Sequence, residues 1–300
     1  MQLLLGLIAL SLSFLQVFLP LSFLTSSILG FFAVLFMIGA ILVSDALAVR
    51  FGRPSFLRSL LFSRRRLLPF LLLSIIGGLL LEAVANWIGK LWIYPYFSVT
   101  TYIFVLVPGY FIYWLMIYGT YYAARAAVGR WAYSTPREYK RLSHLLYPMG
   151  GLIAAFVLPV TLWLIFRSYF LEGGFIIDIA HPSAAYVSFV YVLLLFLGVW
   201  LLLEFIEYIE GRGSLIRSLL SGDFAPLIAI VVATFTWGVL MELSNIPAFL
   251  WEYTHWPFSA WNIGGIPLSV LLVGWPVHYI AFLSLFQVFI RGKTFAGVWK

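Results

Sequence analysis

Long apolar runs separated by short polar or basic connections organise this chain. Eight of them, near residues 3–19, 27–49, 67–92, 99–124, 147–168, 185–208, 224–250 and 264–290, are long enough at 1.5 Å per residue to cross a bilayer core of about 30 Å. The pattern predicts an all-α fold, a polytopic membrane bundle of about eight transmembrane helices. No basic residue precedes the first run, so it reads as a retained helix and not as a cleaved signal peptide. Composition strengthens the picture: 63% hydrophobic and 10% charged residues, with mean hydropathy +1.04, leave too little polar surface to coat a water-soluble fold of 300 residues.

The charges add an orientation. Arg50, Arg53, Arg58 and Arg64 to Arg66 lie between the second and third runs; Arg125, Arg130, Arg137, Lys140 and Arg141 lie between the fourth and fifth. Arg212 and Arg217 follow the sixth, and Arg291, Lys293 and Lys300 follow the eighth, so sixteen of the 18 basic residues occupy alternate connections. Only Lys90 and Arg167 fall opposite. The positive-inside rule then predicts a multi-pass protein of the cell membrane with both termini cytoplasmic. The net charge of +7 is expected to meet anionic lipid at those basic loops, not nucleic acid. Glu204, Glu207 and Glu210, like Asp45, read as solvated helix ends.

The chain also resembles itself. Arg58-Ser-Leu-Leu61 precedes the third run and Arg217-Ser-Leu-Leu220 the seventh. Glu82 and Glu242 follow, then Asn86 and Asn245, then Trp92-Ile-Tyr94-Pro95 and Trp251-Glu-Tyr253, and finally Pro108-Gly-Tyr110 and Pro276-Val-His278. Two copies of four helices, 1–142 and 143–300, running in the same sense about an axis along the membrane normal, are the expectation: a tandem parallel 4+4 repeat.

Glu82 and Glu242 fall past the midplane of their helices, where a carboxyl is costly, about 2.5 to 3.5 kcal/mol on insertion scales, and marks a ligand site, pathway or proton relay. Asn86 and Asn245, four and three residues on, share a helix face with their acids and are expected to present an amide to the same cavity. Tyr110, Tyr113 and Trp114 lie on a tyrosine-rich fourth helix whose ring faces can hold a cation or an apolar substrate. His278, the counterpart of Tyr110, is the candidate for proton exchange with Glu242. Pro108, Pro247 and Pro276 free backbone carbonyls nearby and are expected to open a cavity through kinks. Trp92, Tyr94, Tyr96, Trp251, Tyr253, Trp256 and Trp261 read as an interfacial belt. The same acids, amides and tyrosines would also serve as hydrogen-bonding glue between helices.

The chain has no cysteine, its four histidines are scattered, and no Gly-rich phosphate loop occurs. Neither a metal nor a cofactor is therefore expected. Three functions fit: a membrane-embedded enzyme doing acid catalysis on an isoprenoid or other lipid, a proton-coupled transporter or lipid flippase, and a non-catalytic scaffold. In all three the partners are membrane lipid and an apolar or amphiphilic small molecule. An intramembrane acid followed by an aromatic-Tyr pair, Glu82 with Trp92-Ile-Tyr94-Pro95 and Glu242 with Trp251-Glu-Tyr253, resembles the integral membrane carotenoid-biosynthesis proteins of the carotenoid hydratase and lycopene-cyclase-domain type. The resemblance covers the third, fourth, seventh and eighth helices and implies cofactor-independent acid catalysis on polyenes as a cyclase, hydratase or isomerase. The chain lacks that group's Pro-x-Glu-Glu motif and the Gly-rich stretch after the hydratase acid.

Overall fold

A computed structural model describes residues 1–19, 26–98, 100, 102–129, 140–172, 187–246, 250–290 and 299. Pro247, and the basic residues Arg130, Arg137, Arg291, Lys293 and Lys300, lie outside them. The fold is nearly all helical. Its helices are α1 (Gln2–Ser13), α2 (Ser26–Arg50), α3 (Phe56–Leu61), α4 (Arg64–Glu82), α5 (Val107–Gly129), α6 (Lys140–Phe166), α7 (Phe189–Ile209), α8 (Leu215–Leu220), α9 (Ala225–Ala233), α10 (Val239–Asn245) and α11 (Trp275–Phe289).

Six spans, Ile28–Arg50, Arg64–Ile88, His144–Leu171, Phe189–Ile209, Ala225–Asn245 and Val270–Phe289, are long and apolar enough to cross a membrane, in keeping with a multi-pass membrane protein. The other two of the eight runs differ. Gln2–Phe18 is apolar but shorter, and α5 has the length but is interrupted by tyrosines at 110, 113, 118, 121 and 122.

Those tyrosines are explained by position. Helix α5 sits innermost, packed on α2, α4, α9 and α11, while α1 lies outside against α2 and α6 lies outside against α7. The outer helices turn apolar side chains outward: Leu4 on α1 and Leu152 and Phe156 on α6 are exposed, as hydrocarbon contact requires and water does not. Small residues set the inner spacing. A Cβ on Gly77 would lie 2.2 Å from the Trp114 ring, and one on Gly78 2.3 Å from the Tyr110 ring, so α4 approaches α5 only because both positions lack a side chain. Across the centre, Trp114 meets Phe282 with ring centroids 3.9 Å apart, Tyr118 meets Phe286 at 4.7 Å, and Thr120 Oγ1 shares a 2.7 Å hydrogen bond with Tyr279 Oη.

Helices α4, α10 and α11 adjoin wider π-helical turns, at Ala83–Ile88, Thr234–Gly238 and Val270–Gly274, and Tyr102–Leu106 precedes α5. Pro108 and Pro276 stand at the starts of α5 and α11, immediately after two of these turns. A proline lacks the donor that an α-turn needs, and widening the preceding turn accommodates it.

At the end carrying the basic connections, Ser55 Oγ accepts from Arg58 N at 3.1 Å and Ser214 Oγ from Arg217 N at 3.1 Å. Each capped helix start also meets a carboxyl ten residues ahead of its serine. Asp45 accepts from Leu57 N (3.2 Å) and from Ser55 Oγ (2.7 Å); Glu204 accepts from Leu215 N (3.1 Å) and Ile216 N (3.2 Å). This corrects the expectation of solvated ends. Asp45, Glu204 and Glu207 are buried, and the first turns of α3 and α8 present free N–H donors to Asp45 and Glu204. Glu207 accepts from Trp299 Nε1, and Glu210, less buried, pairs with Arg212.

At the opposite end two extended segments meet. Strand β1 (Trp92–Ile93) pairs antiparallel with β2 (Glu252–Tyr253), Trp92 opposite Tyr253 and Ile93 opposite Glu252. A hairpin of β3 (Asn262–Ile263) and β4 (Ile266–Pro267) follows. Its turn places Gly264 and Gly265 at φ 59° and 85°, a pair of conformations that favours glycine.

Candidate functional site

Glu82 is the last residue of α4 and Glu242 lies in the middle of α10; both are buried. The chain beyond each helix folds back over its acid. Asn86 Nδ2 donates to Trp92 O at 2.8 Å, and Asn245 Nδ2 donates to Trp251 O at 2.8 Å. Asn245 Oδ1 also accepts from Trp251 N at 3.3 Å. The asparagines therefore fix the return of the chain and do not face the cavity alongside the acids. The π-turn that starts at Ala83 takes Asn86 off the Glu82 face, and Asn245 ends its helix, where its amide meets the returning strand.

The fold-back delivers donors to the carboxyls. Tyr94 Oη donates to Glu82 Oε1 at 2.6 Å and Trp92 Nε1 to Glu82 Oε2 at 3.3 Å. Tyr253 Oη donates to Glu242 Oε1 at 2.5 Å, and Trp275 Nε1 to the same oxygen at 2.9 Å. Burial first, then the adjacent carboxyl, pushes the Tyr94 and Tyr253 phenols well above the ordinary tyrosine range, so both remain donors. Trp92, Tyr94, Trp251, Tyr253 and Trp256 thus turn inward, whereas the sequence suggested an interfacial belt. Tyr96 and Trp261 are exposed as a belt requires. These inward rings are the functional candidates that sequence reasoning passed over, although the Trp and Tyr recurring after each acid carried the signal.

Both acids open on one cavity of about 200 Å³ between α2, α4, α5, α7, α10 and α11. Glu82, Tyr110, Tyr113, Glu242 and His278 all line it. Trp114 does not; its ring is buried against Gly77 and Phe282. The rest of the lining is aliphatic or aromatic, including Val34, Met37, Val192, Phe196 and Val270. Tyr110 Oη bonds Tyr102 Oη at 3.1 Å. His278 Nδ1 faces Tyr113 Oη at 3.5 Å, and among the described residues its hydrogen-bond partner is that tyrosine and not Glu242. The expected Glu242–His278 exchange would need a group lying between them.

The arrangement is chemically specific. A carboxyl with a Tyr O–H and a Trp N–H aimed at it can release a proton and have the resulting charge held in place, because the donors already point at the oxygens. The aromatic walls present ring faces that can stabilise positive charge. No protein-family model matches the chain, and no curated protein or solved structure matches it either.

Proposed function

We propose that this is an integral membrane protein whose central cavity takes an isoprenoid or other apolar lipid, and that Glu82 and Glu242 perform cofactor-independent acid chemistry on it. The observation that carries the reading is the opening of two buried carboxyls, each held by tyrosine and tryptophan donors, on a single cavity that is otherwise apolar and aromatic. In the step envisaged, the glutamic acid O–H bond breaks and its proton forms a C–H bond at one alkene carbon of the lipid. The π pair is consumed, and a carbocation remains beside the carboxylate. The Tyr and Trp donors hold that carboxylate, an interaction stronger in the transition state than before it. Loss of a proton from a neighbouring carbon back to the carboxylate gives an isomer; attack of a second alkene's π pair on the cation forms a ring C–C bond, and proton loss from the new cation gives a cyclised product; capture by water gives an alcohol and returns the proton. The resemblance to carotenoid-biosynthesis proteins points to the same chemistry.

The 4+4 duplication, with units 1–142 and 143–300, belongs to this reading. Its supports are the matched serine caps with their carboxyls, the matched Glu–Tyr and Asn–Trp bonds, and the contacts between equivalent positions Ile93 and Glu252, Trp114 and Phe282, and Tyr118 and Phe286. Equivalent residues touch where a twofold axis passes, and an axis along the membrane normal sets both acids at one depth. A second reading, a proton-coupled lipid carrier, draws on the π-turns beside both acids, which are weak points where central helices can bend.

Lipid extracts of cells carrying the wild type, Glu82→Gln or Glu242→Gln test the enzyme. A product present only with the wild type is expected, with the variants still folded; identical extracts would overturn it. The carrier predicts lipid-dependent proton movement into reconstituted vesicles, lost in the same variants.

A further inference from the structure

The two halves of the cavity are not chemically equivalent. On the Glu82 side both carboxyl oxygens accept a bond, and Tyr110 is tied to Tyr102. On the Glu242 side one oxygen takes both donors, and three buried polar atoms have no partner: Glu242 Oε2, His278 Nε2 and Trp256 Nε1. All three belong to cavity-lining residues of the second half, and no cavity-lining residue of the first half carries such an atom among the described residues. A buried polar group left without a bond costs about 1–3 kcal/mol, so three on one side of one cavity point to a guest that satisfies them.

Resting on the proposed lipid-binding reading, we infer that the ligand is an amphiphile with a single neutral polar end, a hydroxyl or carbonyl, seated at Glu242, His278 and Trp256, with its apolar chain running past Glu82. Trp256 Nε1 can only donate, so the ligand end must accept. A carboxylate or phosphate would bring a net charge into a cavity whose lining is otherwise apolar and aromatic, and a plain hydrocarbon leaves all three atoms unsatisfied. About 200 Å³ exceeds the roughly 150 Å³ of an apolar cavity that admits benzene, yet is too small to enclose a long chain. The polar end and its first carbons enter, and the remainder of the chain extends out of the cavity. Glu82, both of whose oxygens already accept a bond, faces the chain and not the polar end.

The test uses the full-length protein in lipid nanodiscs and three photoreactive C16 probes, the primary alcohol, the carboxylate and the plain hydrocarbon, each with a mid-chain diazirine. Crosslinks are mapped by mass spectrometry. The alcohol is expected to label cavity residues such as Val34 and Phe196 at least fivefold above the other two. Trp256→Phe, which keeps the ring and removes only the N–H, and Glu242→Leu should each erase that preference, whereas Glu82→Gln should keep it. Equal cavity labelling by alcohol and hydrocarbon would overturn the polar-end inference, assign the three atoms to water and leave the lipid-binding reading standing. Failure of every probe to label the cavity would overturn both. Loss of preference in Glu82→Gln but not in Trp256→Phe would reverse the polarity and refute the assignment.

Discussion

Removing the Tyr253 hydroxyl tests how the acid is held. In Tyr253→Phe the ring that packs edge-on against Trp256 stays, but Glu242 Oε1 keeps only the Trp275 donor at 2.9 Å. Hydrogen bonds between membrane helices average about 0.6 kcal/mol in double-mutant cycles, with a maximum of about 1.7. At 2.5 Å Tyr253 is the nearer of the two donors to Glu242 Oε1, and Glu242 is buried, where a lost bond is not replaced by water. The coupling is therefore expected near the top of the membrane range, about 1.5 kcal/mol. The cycle comprises the wild type, Tyr253→Phe, Glu242→Gln and the double variant, each unfolded reversibly in mixed micelles. The parallel cycle on Tyr94 and Glu82, at 2.6 Å, should give a similar value. Coupling below about 0.3 kcal/mol, inside the error of additive sites, would refute the claim that the tyrosines pre-organise the acids.

Other variants probe the frame around the site. Gly77→Ala should destabilise the protein by about 1–3 kcal/mol through overlap with Trp114, whereas Gly109→Ala, with open space at its Cβ, should be nearly neutral in the same unfolding assay. Asn245→Ala removes two bonds to Trp251; about 1–3 kcal/mol should be lost, and amide exchange at 250–254 should rise. Glu204→Gln removes one of the two carboxyl oxygens that accept from the first N–H groups of α8, so faster amide exchange at Leu215 and Ile216 is expected, with lipid conversion unchanged.

Much of this was legible in the sequence, and the gaps have physical reasons. Apolar run length found the six helices long and apolar enough to span a membrane and two further runs that are not, and the cost of burying a carboxyl singled out Glu82 and Glu242, both of which are buried. Helical spacing misplaced Asn86, because a periodicity of 3.6 does not survive a π-turn. Asp45 and Glu204 were read as solvated because a carboxyl near a helix end looks the same in sequence whether it meets water or the N–H groups of a following short helix. Their common offset of ten residues from Ser55 and Ser214 held the distinction. The belt aromatics misled for a related reason: Trp92 and Tyr253 stand at the ends of long apolar runs in sequence, but the β1–β2 pairing, a contact between distant segments, turns them over the acids.

A high-resolution electron-microscopy map of the protein in nanodiscs of its host's lipids tests the central claim most directly. Elongated density in the cavity, with one end beside Glu242 and Trp256 and a chain passing Glu82, is the result expected. Ordered lipid confined to the outer surfaces of α1 and α6, with side chains closed across the space between Glu82 and Glu242, would contradict it.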